Sequence, residues 1–256
     1  MAADRVSKVR SDYRARRTSG TRPVSGIRWI VVHDSEADLP TTGAEAVGRY
    51  FESKAAQGST HFGVDNDTTQ RYLPDNAIAW GAPGANTTGI HIEFMGKASH
   101  SRAKWLSHHG LMFKRGGWLI AHLAKKYGVP IKLLTVTEIK AGQKGIVTHA
   151  LLTKALRRGT HTDPGPGFPM DLLLSYARYY RQWLPIAKRP VLKRGDKGFW
   201  VLQLKRKLAK AGYAGKMDLT SDVFGPGTEA ALNAFKKAKG LPVNGIAGLG
   251  TWKALG

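Results

Sequence analysis

Hydrophobic positions along the chain change period several times, and each change marks an element. "IRWIVVH" is a β-branched and aromatic run over Ile27–Val32, which predicts a buried strand ending at His33. "TTGAEAVGRYFESKAAQG" then shifts to helical spacing, with Ala46, Val47, Tyr50 and Phe51 as the apolar stripe and Gly58 as the stop signal. "STHFGVDNDTTQRYLPD" predicts a hairpin of two short strands around Asn66 and Asp67. In "NTTGIHIEFMG", Ile90, Ile92 and Phe94 alternate with Gly89, His91 and Glu93, the period of a strand. A long helix is expected over Lys104–Tyr127, closed by "YGVP" and weakened in its middle by Gly116 and Gly117. "GIVTH" is a short strand ending in His149, and "MDLLLSYARYYRQWL" a last amphipathic helix. Together these elements predict an α/β fold, a central mixed β-sheet flanked by helices.

The pattern also divides the chain. Residues 1–22 are basic and poor in apolar side chains, which predicts a flexible tail. Residues 23–185 hold the α/β elements, 186–190 form a basic, Pro-bounded linker, and 191–256 form a second domain. In that second domain "VFGPGTEAAL" (223–232) echoes "IAGLGTWKAL" (246–255). Each copy leads from a Gly-rich turn to a threonine placed to cap the following helix. Val201, Leu204 and Leu208 lie at helical spacing ahead of the echo. The result is a small, mostly helical module, better suited to binding than to independent catalysis.

Composition narrows the chemistry. There is no cysteine, so disulfides and thiolate ligands are excluded and any metal rests on histidine and carboxylate. No apolar window approaches the ~18 residues of a membrane span, and the first twenty residues contain no apolar secretory core. The expectation is a protein made in the cytoplasm without a signal peptide and without stable membrane insertion. Its 40 Lys+Arg against 18 Asp+Glu give a formal charge of +22, spread over every segment. Such a chain concentrates near polyanions. Zinc-finger spacing and RNP-like aromatic stretches are missing, so nucleic acid is not the expected partner. Charge alone does not choose between anionic lipid and a phosphate-rich cell wall.

Nine histidines are available. His100, His108 and His109 lie in a polar stretch and are expected to face solvent, while His122 falls at a core edge. His33 and His149 stand apart because each directly follows a strand-like run, and strand ends are where α/β proteins assemble their sites. "GTHTDPGPGFP" adds Asp163 in a Pro-stiffened loop, though the same stretch also reads as an ordinary turn. Two imidazoles and one carboxylate match the ligand count of a catalytic zinc, yet the three residues form no local motif.

Taken together, "IRWIVVHDS", "STHFGVDNDTTQRYLPD", "NTTGIHIEFMG", "GIVTH" and "GTHTDPGPGFP" occur in the order seen in zinc-dependent N-acetylmuramoyl-L-alanine amidases, a family that includes phage lysins and is related to peptidoglycan-recognition proteins. The resemblance covers residues 25–183. It implies that His33, His149 and Asp163 bind Zn²⁺ and that Glu93 transfers protons; a solvated outward position is the alternative for Glu93. His161 falls where many members place a catalytic lysine. A lysine is a fixed cation near neutral pH whereas a histidine titrates there, so His161 is expected to steady an oxyanion or handle a proton with greater pH sensitivity. "AWGAPG" departs from the Trp-His of many relatives, leaving the groove wall near Trp80, a candidate substrate contact, different. Residues 190–256 resemble the three-helix peptidoglycan-binding domain of wall hydrolases, and these resemblances assign the positive charge to anionic wall polymers. The resemblance therefore implies a monomeric phage endolysin that hydrolyses the amide between N-acetylmuramic acid and L-alanine at the bacterial wall during host lysis. A non-catalytic peptidoglycan-recognition protein is the alternative, and loss of a metal ligand would be its mark.

Overall fold

In the computed structural model, which describes residues 8–181 and 189–256, the basic N-terminal segment is built into the fold over residues 8–22. This corrects the expectation of a tail for that stretch. Arg10 exchanges backbone hydrogen bonds with Thr69 and Arg71, and the Ala15 and Arg16 amides donate to Tyr72 and Phe51. Thr18–Thr21 forms strand β1, antiparallel to Ala77–Ala79. Ala15 is buried, and Tyr13 packs with it against Phe51, Tyr72 and Ala79. Backbone pairing anchors the segment, and a count of apolar residues does not register backbone pairing.

The central sheet is made of β2 (Trp29–Asp34), β3 (Phe62–Val64), β4 (Thr69–Arg71), β6 (Gly89–Phe94) and β7 (Gly145–Thr148), with β5 (Ala77–Ala79) outside it as the partner of β1. The order is β4-β3-β6-β2-β7. β3, β6, β2 and β7 run parallel, and β4 returns antiparallel through the hairpin. The sheet is thus mixed. Every residue of β2 is buried, which is why its sequence is a near-continuous apolar run.

Six helices complete this unit among the described residues: α1 (Gly43–Glu52), α2 (Arg102–His108), α3 (Gly110–Tyr127), α4 (Val136–Lys140), α5 (His149–Leu156) and α6 (Met170–Arg181). On α1 the buried stripe is Ala44, Gly48 and Phe51, displaced from the expected one; Val47 and Tyr50 face a cleft instead. The single helix expected over Lys104–Tyr127 is two, broken at His109. Ser101 caps α2 by accepting from the Lys104 amide. Gly116 and Gly117 have a packing reason, since a Cβ at either would strike Phe94 or Tyr176. They let α3 press against the sheet and against α6, whose last expected turn lies outside the described residues.

The second unit, within Gln182–Gly256, holds α7 (Phe199–Lys210), α8 (Pro226–Ala238) and α9 (Leu249–Leu255) around Val201, Leu204, Leu208, Phe224, Leu232, Phe235 and Trp252. Residues 182–188, with most of the expected linker, lie outside the described residues. The echo threonines do not cap. Gly225 and Gly248 occupy the cap positions, so Thr228 and Thr251 fall inside the helices, where both are buried. Two buried lysines serve the loops instead. Lys205 donates to the carbonyls of Asp218 and Ser221, and Lys236 donates to Asn244 and the Ile246 carbonyl. Each ammonium satisfies loop oxygens that the core would otherwise leave unpaired. No helix among the described residues is long and apolar enough to cross a membrane.

One buried carboxylate ties the β4–β5 turn to the end of α3. Asp75 is 7% exposed and accepts from Arg71, from Tyr127 and from Lys126 at 2.9 Å. Burial pushes its carboxyl up, but hydrogen bonds from Lys126, Tyr127 and Arg71 outweigh this and hold it at about 2. Because the folded value lies below the unfolded one, the stabilisation is present above pH ~4 and is lost as pH falls toward 2. Asp75→Asn is therefore expected to cost about 2 kcal/mol at neutral pH, with the deficit shrinking below pH ~4. Chemical denaturation of both proteins across that range checks it.

Candidate active site

Three neighbouring parallel strands end at one place. In β2 and β6, His33 stands beside Glu93, and Val32 of β2 pairs with Thr148 of β7. The next residue, His149, is the first of α5, whose cap is the Thr148 hydroxyl accepting from Leu151. Asp163 arrives from the loop after α5, held by its carbonyl accepting from the Ala150 amide at 2.8 Å. The loop's glycines allow close packing. A Cβ on Gly165 would lie 1.9 Å from the Ala98 carbonyl oxygen, and one on Gly167 would lie 2.1 Å from that of His100. Phe168 then anchors the loop among Phe94, Trp105 and Phe113. "GTHTDPGPGFP" is a rigid turn and also a platform for its carboxylate.

The three side chains converge closely. His33 Nδ1 lies 3.1 Å from His149 Nδ1 and 3.1 Å from Asp163 Oδ2, and His149 Nδ1 lies 3.0 Å from Asp163 Oδ1. Zinc–ligand distances of about 2.0 Å place tetrahedral ligand atoms about 3.3 Å apart, and the nitrogen–nitrogen and nitrogen–oxygen approaches here fall on that scale, one carboxylate oxygen facing each imidazole. Each imidazole nitrogen has a carboxylate oxygen of its own in reach, and the two nitrogens also face each other. A divalent cation would satisfy all three donors, and the residues fit one. Burial pushes the Asp163 carboxyl up, but hydrogen bonds from His149 and His33 dominate and hold it well below the carboxylate range. It is an anion at neutral pH.

Glu93 lines the same cleft of about 930 Å³, with Oε2 buried and unpartnered among the described residues. Burial first, then the charges of Asp163 and Asp34, push its carboxyl well above the usual range. Its side chain faces the cleft and not bulk solvent. His161 stacks on His149 with ring centroids 4.0 Å apart, its side chain 55% exposed and its Nδ1 3.7 Å from Asp163 Oδ1. Trp80 forms part of the wall, its indole N–H donating to Ser19 at 2.7 Å and its ring covered by Arg17.

Three residues in and behind the cleft escaped the sequence reading. Asp34, immediately after His33, is buried in the cleft, and burial followed by the charges of Asp163 and Glu36 raises it to about 8. His91 and His61 are wholly buried behind His33. The signal for His91 was its alternation in phase with Glu93. Elsewhere, His109 and His100 are not solvent-facing as expected: His109 is fully buried, and both imidazoles reach Asp38, at 3.2 and 3.3 Å. That cluster differs from the first because the Lys104 ammonium, 3.4 Å from Asp38, already neutralises its carboxylate. His108 is exposed, and so is His122, which stacks on Trp118.

Residues 21–166, which contain every one of these cleft groups but Ser19 and Arg17, match the N-acetylmuramoyl-L-alanine amidase family. The chain belongs to that family. As an amidase of this kind it acts on peptidoglycan, and residues 200–255 match a peptidoglycan-binding domain family. Among curated relatives, the N-acetylmuramoyl-L-alanine amidase CwlL of Bacillus licheniformis is 24% identical over 266 residues, covering 92% of this chain and 68% of CwlL. Among solved structures, the hydrolase AmiA of Staphylococcus aureus shares the fold, with a TM-score of 0.53 and 21% identity over 68% of this amidase and 83% of AmiA.

Gly165→Ala puts a methyl group into a backbone carbonyl and must lift the Asp163 loop. A stability loss of about 1–3 kcal/mol is expected, visible as a lowered melting temperature.

Proposed function

We propose that this amidase is zinc-dependent and hydrolyses the amide between the lactyl group of N-acetylmuramic acid and L-alanine, with His33, His149 and Asp163 as the metal ligands. The observation that carries the reading is the convergence of two imidazole nitrogens, 3.1 Å apart, on the two oxygens of one carboxylate at 3.0–3.1 Å. A zinc ion bound there would supply Lewis acidity toward the scissile carbonyl and lower the pKa of its water to about 7. Glu93, unpaired and with a raised proton affinity, accepts the proton released as water adds to the carbonyl carbon. His161, exposed beside His149, hydrogen-bonds the developing oxyanion and passes a proton to the departing L-alanine nitrogen. Trp80 offers its half-exposed ring to the substrate. The C-terminal unit and the net charge of +22 hold the enzyme on peptidoglycan and its anionic polymers. A wall-cutting unit joined to a wall-binding one supports a role as a phage endolysin in host lysis.

Mass spectrometry of purified peptidoglycan digested with and without a chelator tests this. Metal-dependent release of stem peptides with an L-alanine amino terminus, glycan strands intact, is the expected result. A wall that binds the protein but is never cut would leave the recognition reading in its place. Glu93→Gln is expected to lower kcat by about 100-fold or more while zinc content is unchanged; Asp163→Ala is expected to lose both. Metal analysis beside steady-state assays separates the two.

A further inference from the structure

Behind the metal-ligand set lies a line of buried imidazoles that the reaction above does not use. His33 presents Nδ1 to His149 and Asp163, and its other nitrogen, Nε2, lies 3.0 Å from His91 Nδ1. His91 is 0% exposed. Its backbone N–H donates to His61 Nδ1 at 3.1 Å, and the two rings stack within 9° of parallel. That bond leaves the His61 proton on Nε2, which donates to the Ala77 carbonyl at 3.1 Å. The His91 ring sits in a space kept open by glycine. A Cβ on Gly81 would lie 2.5 Å from His91 Nδ1, and one on Gly89 would lie 3.0 Å from Nε2. His91 Nε2 itself has no partner among the described residues. A buried unpaired nitrogen is unfavourable for folding, so this ring is held for what its Nδ1 does.

We propose that His91 is a positioning residue: its Nδ1 accepts the Nε2–H of His33 and so keeps His33 Nδ1 free, unprotonated and aimed at His149 and Asp163. A metal-ligating imidazole usually donates its second N–H to a carboxylate, carbonyl or water. Here an imidazole takes that part. Gly81 belongs to the same device, because the ring occupies the space that a side chain at position 81 would need.

This inference rests on the metal reading of His33, His149 and Asp163. Its test is zinc affinity of the full chain, measured by titrating metal-free protein against a chromophoric chelator. His91→Phe keeps a ring but removes the acceptor. His91→Asn places Oδ1 at the same branch position as Nδ1 and keeps it. Gly81→Ala leaves His91 in place but pushes its ring. The Phe and Ala variants are expected to bind zinc about 10- to 100-fold more weakly, and the Asn variant within about threefold of the unaltered protein. Melting of the metal-free forms, expected to be alike for Phe and Asn, shows that folding is not the cause. Equal affinity in His91→Phe and the unaltered protein would overturn the role of His91 alone. Equal losses in Phe and Asn would overturn it too, since ring packing rather than the acceptor would then matter. No zinc uptake by the unaltered protein would remove the metal reading and this inference with it.

Discussion

The site depends on the register of parallel pairing among β6, β2 and β7. Side chains alternate across a sheet, so a slip of one residue in β2 would carry His33 to the opposite face and bring Val32 in its place. The pairing of His33 with Glu93 and of Val32 with Thr148 sets where the proposed metal ligands and the proposed base meet. Burial on both faces of β2 makes that register costly to change, because every alternative moves large apolar side chains as well.

On this frame the cleft separates its carboxyls by environment. Asp163 faces two imidazoles and is held ionised, whereas the half-buried Glu93 faces the charges of Asp163 and Asp34 and is pushed toward its neutral form. The same functional group thus suits the proposed ligand role at one point and the proposed proton transfer at another. The loop presenting Asp163 is placed by close backbone contact against residues 98–100, which only a residue without a side chain permits at Gly165 and Gly167.

Much of this was legible in the chain. The strand that carries His33, the hairpin at Asn66 and Asp67, and the α/β order all follow from period and turn chemistry. The amidase resemblance rested on local motifs in order. What stayed hidden was decided by tertiary partners. His109 is polar by neighbourhood yet buried because Asp38 from a distant loop receives it. Thr228 reads as a cap, but Pro226 starts its helix earlier. His91 is one of nine histidines in sequence, and only the fold places it behind His33.

The N-terminal segment carries a consequence for solubility. Strand β4 is the outer strand of the sheet beside β3, and an uncovered outer strand invites pairing with another molecule. Arg10 bonds to Thr69 and Arg71 along that margin, and the side chains that accompany it are charged. The stretch expected as a flexible tail thus shields the sheet from intermolecular strand addition. Like-charge repulsion between copies reinforces the shield where the enzyme is concentrated on a polymer surface.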